Sequence, residues 1–308
     1  MPMIAPVDLP EPTDSFRRLV ARLSDASVKR HWEAYRDIEW DVPGNEVRPD
    51  DARWEAREPW DPLAASPWYR DQSPAVRAAL GLTRISALLK VSIEFEAVLS
   101  EGLLRFAGCL PNGHPAFRYV YHEITEEAEH SMMFQEFINR SGVELGTLTD
   151  RSQMYDKIVS TATTSPALFF IAVLSGEEAF DHLQRLMLAS KEQHPLAEQI
   201  GRIHVTEEAR HVSFARALLR DLVPQLQDRE VRSLRYQVPF IVEWTVDHLF
   251  TSIDVFAPGN DVPADCVSML GGEAYRALRR GSTRKVVAMC AELGLVDRRV
   301  EAVWSRLR

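Results

Sequence analysis

The sequence is poor in cysteine, and it has neither a basic run nor a long apolar run. Its three cysteines, Cys109, Cys266 and Cys290, lack the spacing of a zinc site and are expected to be buried thiols in a reducing cytosol. The 308 residues carry a formal net charge of -9, which argues against nucleic-acid binding. The longest apolar run, residues 167–174, is too short to span a bilayer, and the N-terminus lacks the pattern of a secretory signal. We therefore expect a soluble cytoplasmic protein that binds neither nucleic acid nor a membrane.

The chain also lacks runs of alternating apolar and polar residues, so no β-strand is predicted. Apolar residues make up 45% of the sequence and charged residues 26%, a composition typical of a folded globular protein. Proline at the start delimits four long helices, and the first three also have glycine or serine near their ends. These are predicted over residues 73–108, 115–142, 165–190 and 195–222. Four long helices in succession predict an all-α fold built on a four-helix bundle.

Further helices are expected on both sides of the bundle. A leading helix is predicted over residues 14–35, followed by a Trp-, Pro- and Asp-rich wrapping segment over residues 37–74. Additional helices are predicted over residues 150–161, over 229–256 with a kink at Pro239, and from residues 273 and 282. The first long helix is expected to bend near Gly81.

A hexapeptide occurs twice, once in the second and once in the fourth long helix. The copies are TEEAEH, residues 125–130, and TEEARH, residues 206–211. Each contains Glu-x-x-His, which places a carboxylate and an imidazole on one helix face. A single copy is most often a solvated face, but two copies on apolar helix faces favour a metal site, because a buried carboxylate without a partner is costly. The pairs are Glu127 with His130 and Glu208 with His211.

The other two helices should each add one carboxylate. Helical spacing from apolar neighbours favours Glu177 over Glu178 in the third helix, and Glu96 only modestly over Glu94 in the first. The resulting order of Glu, Glu-x-x-His, Glu, Glu-x-x-His is the ligand order of ferritin-like di-iron and di-manganese proteins. His204 lies on the face that carries Glu208 and His211 and is a candidate seventh ligand.

With these residues in hand, the chain resembles the p-aminobenzoate N-oxygenase family of ferritin-like di-iron oxygenases. That family has a His four residues before the last Glu-x-x-His, as His204 is here, and a lone Glu 27 residues before that His, which selects Glu177. Its first ligand is followed five residues later by a second Glu, which selects Glu96 because Glu101 follows it. The resemblance covers about residues 80–222 and, more weakly, the segment around residues 284–295.

The resemblance implies a ferritin-like four-helix bundle that holds two Fe ions, with Mn as the alternative metal. The implied ligands are Glu96, Glu127, His130, Glu177, His204, Glu208 and His211. The implied reaction uses O2 to convert a small-molecule amine, such as an arylamine, to a hydroxylamine, nitroso or nitro product. Electrons would come from an external reductase or ferredoxin, because the sequence shows no flavin or nicotinamide fingerprint.

Three further carboxylates are candidate catalytic residues beside the metals. Glu126 and Glu207 are expected to hydrogen-bond the ligand imidazoles of the opposite motif. Glu123 lies four residues before Glu127, where His204 lies before Glu208. It is interpreted as a base or an extra ligand, with a salt-bridged surface residue as the alternative.

The expected domain organisation has three parts: an N-terminal helix and wrapping segment over residues 1–72, the di-metal four-helix core over residues 73–224, and C-terminal helices over residues 225–308 that pack on the same domain. A homodimer is the expected assembly.

For an aryl carboxylate substrate, Arg279, Arg280 and Arg284 are candidate partners, although basic residues near a helix start are commonly solvated.

Rival functions share the ligand order. A di-iron hydroxylase or desaturase acting on a C–H bond is the main alternative, and desaturases lack the third imidazole supplied by His204. The radical-generating subunit of ribonucleotide reductase usually has Tyr where Phe134 stands here. Storage ferritins are much shorter chains, and a scaffold protein without turnover would not need the complete ligand set.

Overall fold

This computed structural model describes residues 9–146, 152–190, 193–256 and 272–308. Ten α-helices make up most of these residues. No strand occurs in these residues. The helices are α1 (Asp14–Lys29), α2 (Pro67–Arg70), α3 (Pro74–Cys109), α4 (Ala116–Ser141), α5 (Ser152–Thr164), α6 (Pro166–Ala189), α7 (Pro195–Leu222), α8 (Asp228–Phe256), α9 (Glu273–Glu292) and α10 (Glu301–Leu307). The predicted all-α, ferritin-like bundle with additional terminal helices is confirmed.

The ends of the bundle helices follow from local capping. The Ser73 hydroxyl accepts the Val76 N–H at the start of α3, where Pro74 occupies the first helical position. The imidazole of His194 accepts the N–H of Leu196 in the same way at the start of α7. Gly142 ends α4 with a φ of 64°, a left-handed conformation that glycine adopts readily. The predicted bounds of these helices therefore agree with the structure to within about one residue.

Four helices surround the centre of the molecule. Helix α3 packs on α4, α6 packs on α7, and the two pairs meet through α4 with α7 and α3 with α6. Helix α1 covers α4 and α7, whereas α5 and α8 cover α3 and α6, and α9 packs on α6. The aromatic side chains form two apolar clusters, one around Phe106, Phe170 and Phe214 and one around Phe134 and Phe180. The buried polar residues of the bundle lie between these clusters along the helices.

The segment between α1 and α3 wraps around the bundle, as its composition predicts. Trp54 is buried between the edge of the Phe137 ring and the stacked ring of His194. A Cβ at Gly81 would lie 1.9 Å from the Trp54 carbonyl oxygen, so only glycine allows this approach of the segment to α3. Helix α3 is continuous through Gly81.

Two other predicted bounds were wrong. The leading helix ends at Lys29 rather than near Tyr35, because the Ala34 N–H donates to the Glu129 carboxylate on α4 and redirects the chain. The helices expected from residues 273 and 282 are one helix, α9. Helix α8 continues through Pro239.

Two of the three cysteines lie in the described residues. Cys109 and Cys290 are buried and form no disulfide, and Cys266 lies outside the described residues. None of the described helices has the length and apolar character required to cross a membrane.

Candidate metal centre

A cluster of carboxylates and imidazoles lies at the centre of the bundle. Helices α3 and α6 each contribute one Glu, whereas α4 and α7 contribute the two Glu-x-x-His motifs and His204, and all of these side chains are buried. They form three overlapping groups in which the possible ligand atoms lie within 4.8 Å of one another. The groups are Glu96, His130, His204 and Glu208; Glu123, Glu127 and His211; and Glu96, Glu127 and Glu177. The structure therefore brings together all seven side chains of the predicted ligand set.

The rival carboxylates point elsewhere. The Tyr155 hydroxyl donates to Glu94 at 3.3 Å, on the side of α3 that faces α5. Glu178 is buried in an ion pair with Arg216 of α7. Of the two choices left open by helical spacing, Glu96 and Glu177 are the residues that lie in the cluster.

The two histidines of the repeated motif are oriented reciprocally. Nδ1 of His130 lies 2.9 Å from the carboxylate of Glu127, and its Nε2 lies 3.0 Å from Glu207 of the opposite helix. Nδ1 of His211 lies 3.1 Å from Glu208, and its Nε2 lies 2.7 Å from Glu126. When each Nε2–H donates to its carboxylate across the interface, the Nδ1 lone pair faces the cluster, which is the arrangement a metal requires.

The Arg210 side chain bridges Glu126 and Glu207, the two carboxylates that bind the ligand imidazoles. Its guanidinium donates to Glu126 at 2.8 Å and to Glu207 at 3.2 Å, and all three side chains are buried. In the other copy of the hexapeptide this position is Glu129, which faces the chain after α1 instead. Sequence reasoning missed Arg210, although the single difference between TEEAEH and TEEARH was the signal that could have identified it.

Burial and the repulsion between neighbouring carboxylates raise the pKa values of Glu96 and Glu177. Burial, together with the nearby carboxylates of Glu127 and Glu208, holds the pKa of Glu96 well above its usual range. The pKa of Glu177 is raised for the same reasons. Burial alone would raise the pKa of Glu208 as well, but the neighbouring histidines, chiefly the charge of His211 and its hydrogen bond, together outweigh burial and lower this pKa to about 2. Glu96 and Glu177 therefore take up protons unless positive charge compensates them, and divalent cations would supply that charge.

The pKa values of the His130 and His204 imidazoles shift in opposite directions. Burial opposes the charged form of His130, but hydrogen bonds to Glu127 and Glu207 outweigh it and raise the pKa to about 10. Burial lowers the pKa of His204 to about 3, so this ring is neutral at neutral pH, as a ligand must be. Its Nε2 lies 3.4 Å from Glu96 and 3.6 Å from Glu208.

The residues present fit a pair of divalent metal ions. Oε2 of Glu96 and Oε2 of Glu208 are buried without a hydrogen-bond partner, which is costly unless a cation is bound there. Carboxylate and imidazole donors are hard to borderline ligands that suit iron or manganese. Two of the three imidazoles belong to the group around Glu96 and one to the group around Glu123. The two metal positions would therefore differ in composition.

Glu123 is not a surface residue. It is 1% exposed, and neither of its carboxylate oxygens has a hydrogen-bond partner. Burial raises its pKa to about 8. The alternative of a salt-bridged surface position was therefore wrong. The hydroxyl of Tyr119, one turn earlier on α4, is likewise buried without a partner.

A hollow open to the surface reaches the periphery of the cluster from one side. It lies between the end of α1 and α4, has an open volume of about 380 Å³, and is bordered by His31, Trp32, His122 and Glu126 among others. Because Glu126 is bound to His211, one hydrogen bond separates this hollow from the cluster.

Comparison with known proteins gives a family that agrees with this site and relatives that are uncharacterized. The family model described as P-aminobenzoate N-oxygenase AurF matches residues 13–294, well beyond the 80–222 segment on which the sequence resemblance rests. Uncharacterized protein Mb0909 of Mycobacterium bovis is 39% identical over 239 residues, which cover 77% of this chain and 69% of the relative. Uncharacterized protein Rv0885 of Mycobacterium tuberculosis gives the same identity and coverage.

Proposed function

The chain belongs to the p-aminobenzoate N-oxygenase AurF family, an oxygenase family, and on that premise we propose that it is a di-iron enzyme that uses O2 to N-oxygenate an aryl amine. The observation that carries this proposal is the buried cluster of four carboxylates and three imidazoles, drawn from four different helices. We propose Glu96, Glu127, His130, Glu177, His204, Glu208 and His211 as the ligands. Iron is the expected metal, with manganese as the alternative.

The side chains around the cluster have separate tasks. When bound, the two irons supply the electrons and the Lewis acidity that activate O2. Glu126 and Glu207 fix the rings of His211 and His130, so that both Nδ1 atoms face inward. The two apolar clusters exclude water from the centre of the bundle. Glu123 is placed to hold a proton on its carboxylate beside Glu127 and His211.

The main alternative, a di-iron hydroxylase or desaturase, uses the same ligand order on a C–H bond. His204 favours N-oxygenation, because it adds a third imidazole that desaturases lack. Phe134, whose ring centroid lies 5.2 Å from that of His204, occupies the position at which ribonucleotide reductase subunits usually carry Tyr.

The test begins with metal content. Protein stripped of metal and reloaded with ferrous iron should hold close to two ions per chain. Glu96→Gln should lose much of this iron, whereas Glu101→Gln, an exposed carboxylate on the same helix, should retain it. One ion or none in the wild-type protein contradicts the di-metal site.

The second part of the test is turnover. With a reductase and ferredoxin as electron donor, the loaded protein should incorporate oxygen from labelled O2 into hydroxylamine, nitroso or nitro products of aryl amines. Mass spectrometry of the products distinguishes the two functions. Oxygenation or dehydrogenation of carbon, with every amine left unchanged, refutes the proposal and supports the alternative.

A further inference from the structure

A narrow chamber reaches the cluster from the side of the bundle covered by α5 and α8. It is lined by apolar side chains of α3, α5 and α6, including Phe95, Val98 and Phe169, and it ends at Glu177. The chamber therefore connects an apolar, partly aromatic surface with a side chain of the proposed ligand set. Such a surface suits a flat apolar ligand.

One polar group in the chamber has no partner. Thr245 of α8 is 1% exposed and lines the chamber, and its hydroxyl makes no hydrogen bond. A helical threonine commonly donates to the carbonyl four residues earlier, and this one does not. A Cβ at Gly176 would lie 3.7 Å from the Thr245 methyl, so Thr245 lies beside the residue that precedes Glu177. Because Thr245 lines the chamber and its hydroxyl has no partner, this hydroxyl is available to accept an N–H from an amine held near Glu177.

The charge of the lining is the feature that selects the substrate. Neither Lys nor Arg is among the described residues that line the chamber, and its one carboxylate, Glu177, belongs to the proposed ligand set. Arg279, a candidate partner for an aryl carboxylate, is instead in an ion pair with Asp247 at 2.6 Å. Arg280 pairs with Glu273 on the surface. The carboxylate of an aryl carboxylate substrate whose amino group lies near Glu177 would lose its hydration against the apolar walls and find no Lys or Arg among them.

The chamber is small. Its enclosed space is about 20 Å³, room for about one water molecule. Phe95, one of its walls, is only half-buried, so its side chain can turn to admit a ring, as interface side chains commonly do on binding. The required movement favours a single ring over a larger ligand.

We propose that this chamber is the substrate site, that it selects a small uncharged aryl amine, and that Thr245 positions the amino group. This inference rests on the proposed function. It also means that p-aminobenzoate, the compound in the family's description, is a poor substrate of this chain. Thr245 is a positioning residue and takes no part in the bond changes.

The first experiment compares two compounds of nearly equal shape, p-aminobenzamide and p-aminobenzoate, on the iron-loaded protein. Binding is measured by anaerobic titration calorimetry, and kcat/KM is measured with the electron donor present. The uncharged amide should bind more tightly than the acid, with kcat/KM about 100-fold higher, because the acid buries a charge without a partner. An acid that is bound and oxidised as well as the amide overturns the inference and leaves N-oxygenation intact.

The second experiment uses substitutions on α8. Thr245→Val should weaken binding of the amide about 5-fold, whereas Thr245→Ser should retain it, because serine keeps the hydroxyl. Thr251→Val on the same helix is the control, since that hydroxyl donates to the Asp247 carbonyl. Equal binding by Thr245→Val and Thr251→Val overturns the role of Thr245.

The two proposals fail in different ways. Tight, Thr245-dependent binding of the amide with no oxidation of any amine refutes N-oxygenation and supports the chamber as a site for uncharged aryl compounds. Oxidation of both compounds at equal rates supports N-oxygenation and refutes the selection by charge.

Discussion

Replacing Arg210 with methionine removes the guanidinium shared by Glu126 and Glu207. The arginine side chain is 10% exposed, and the carboxylates are 5% and 1% exposed, so the pairing takes place out of water. Removing one partner of a buried ion pair costs about 3–5 kcal/mol, and methionine retains the apolar volume of the arginine stem. We expect the free energy of unfolding of the metal-free protein to fall by about 3 kcal/mol, since protonation of one carboxylate limits the loss.

The same substitution should weaken metal binding. Glu126 and Glu207 orient His211 and His130, and groups that orient metal ligands contribute about 10–100-fold to metal affinity. Stability is measured by urea unfolding followed by circular dichroism, and metal affinity by competition with a chelator.

Arg202→Met is the matched control on α7. Arg202 pairs with Glu198, but these side chains are 67% and 43% exposed, so the substitution should cost less than about 0.5 kcal/mol. If the Arg210 and Arg202 variants lose the same stability and retain the same metal affinity, Arg210 does not couple the two carboxylates and the reasoning is wrong.

Other predictions concern the cluster and the packing around it. His204→Ala should change the iron occupancy or the rate of reaction with O2, which metal analysis and stopped-flow spectroscopy measure. If the variant instead loses only about 1–3 kcal/mol of stability and keeps normal iron content and O2 reaction, His204 is a structural histidine. Because burial raises the pKa of Glu123 to about 8, the folded metal-free protein retains this proton after the unfolded chain has lost it. Its contribution to the free energy of unfolding is complete below the usual carboxyl pKa and is lost as pH rises towards 8, so Glu123→Gln should make the fall in stability across this range smaller by a few kcal/mol in urea titrations. Gly102→Ala should lower the free energy of unfolding by about 1–3 kcal/mol, because the added Cβ would lie 2.2 Å from the Phe169 ring. Gly108→Ala on the same helix is the control: its Cβ meets no atom within 4 Å, so the substitution should be neutral or stabilising. Equal thermal midpoints for the two glycine variants would contradict this account of the packing.

The bundle was predictable because its signals are local. Proline and capping residues at helix starts, and the 3.6-residue period of apolar side chains, depend on neighbours within one or two turns. The repeated hexapeptide identifies Glu127, His130, Glu208 and His211 for the same reason. Helical spacing left Glu94 and Glu178 as open alternatives, since two adjacent faces of a helix are both partly apolar.

Features that depend on partners distant in sequence were not predictable from these patterns. The end of α1 is set by Glu129, about 95 residues away. The role of Arg210 depends on Glu126 of another helix. The ion pair between Arg279 and Asp247 depends on how α9 packs on α8. The partnerless state of Glu123 follows from burial by the whole bundle and cannot be derived from its own helix.

The hollow beside α1 makes the two halves of the repeated motif unequal in their access to water. The Nε2 proton of His211 is bound to Glu126, which borders the hollow, whereas that of His130 is bound to Glu207, whose side chain is 1% exposed. Hydrogen exchange with deuterated solvent should therefore be faster at His211 than at His130. Two motifs of nearly identical sequence thus differ in the lifetime of the proton on each ring, and the difference comes from the helix that covers them rather than from the motifs themselves.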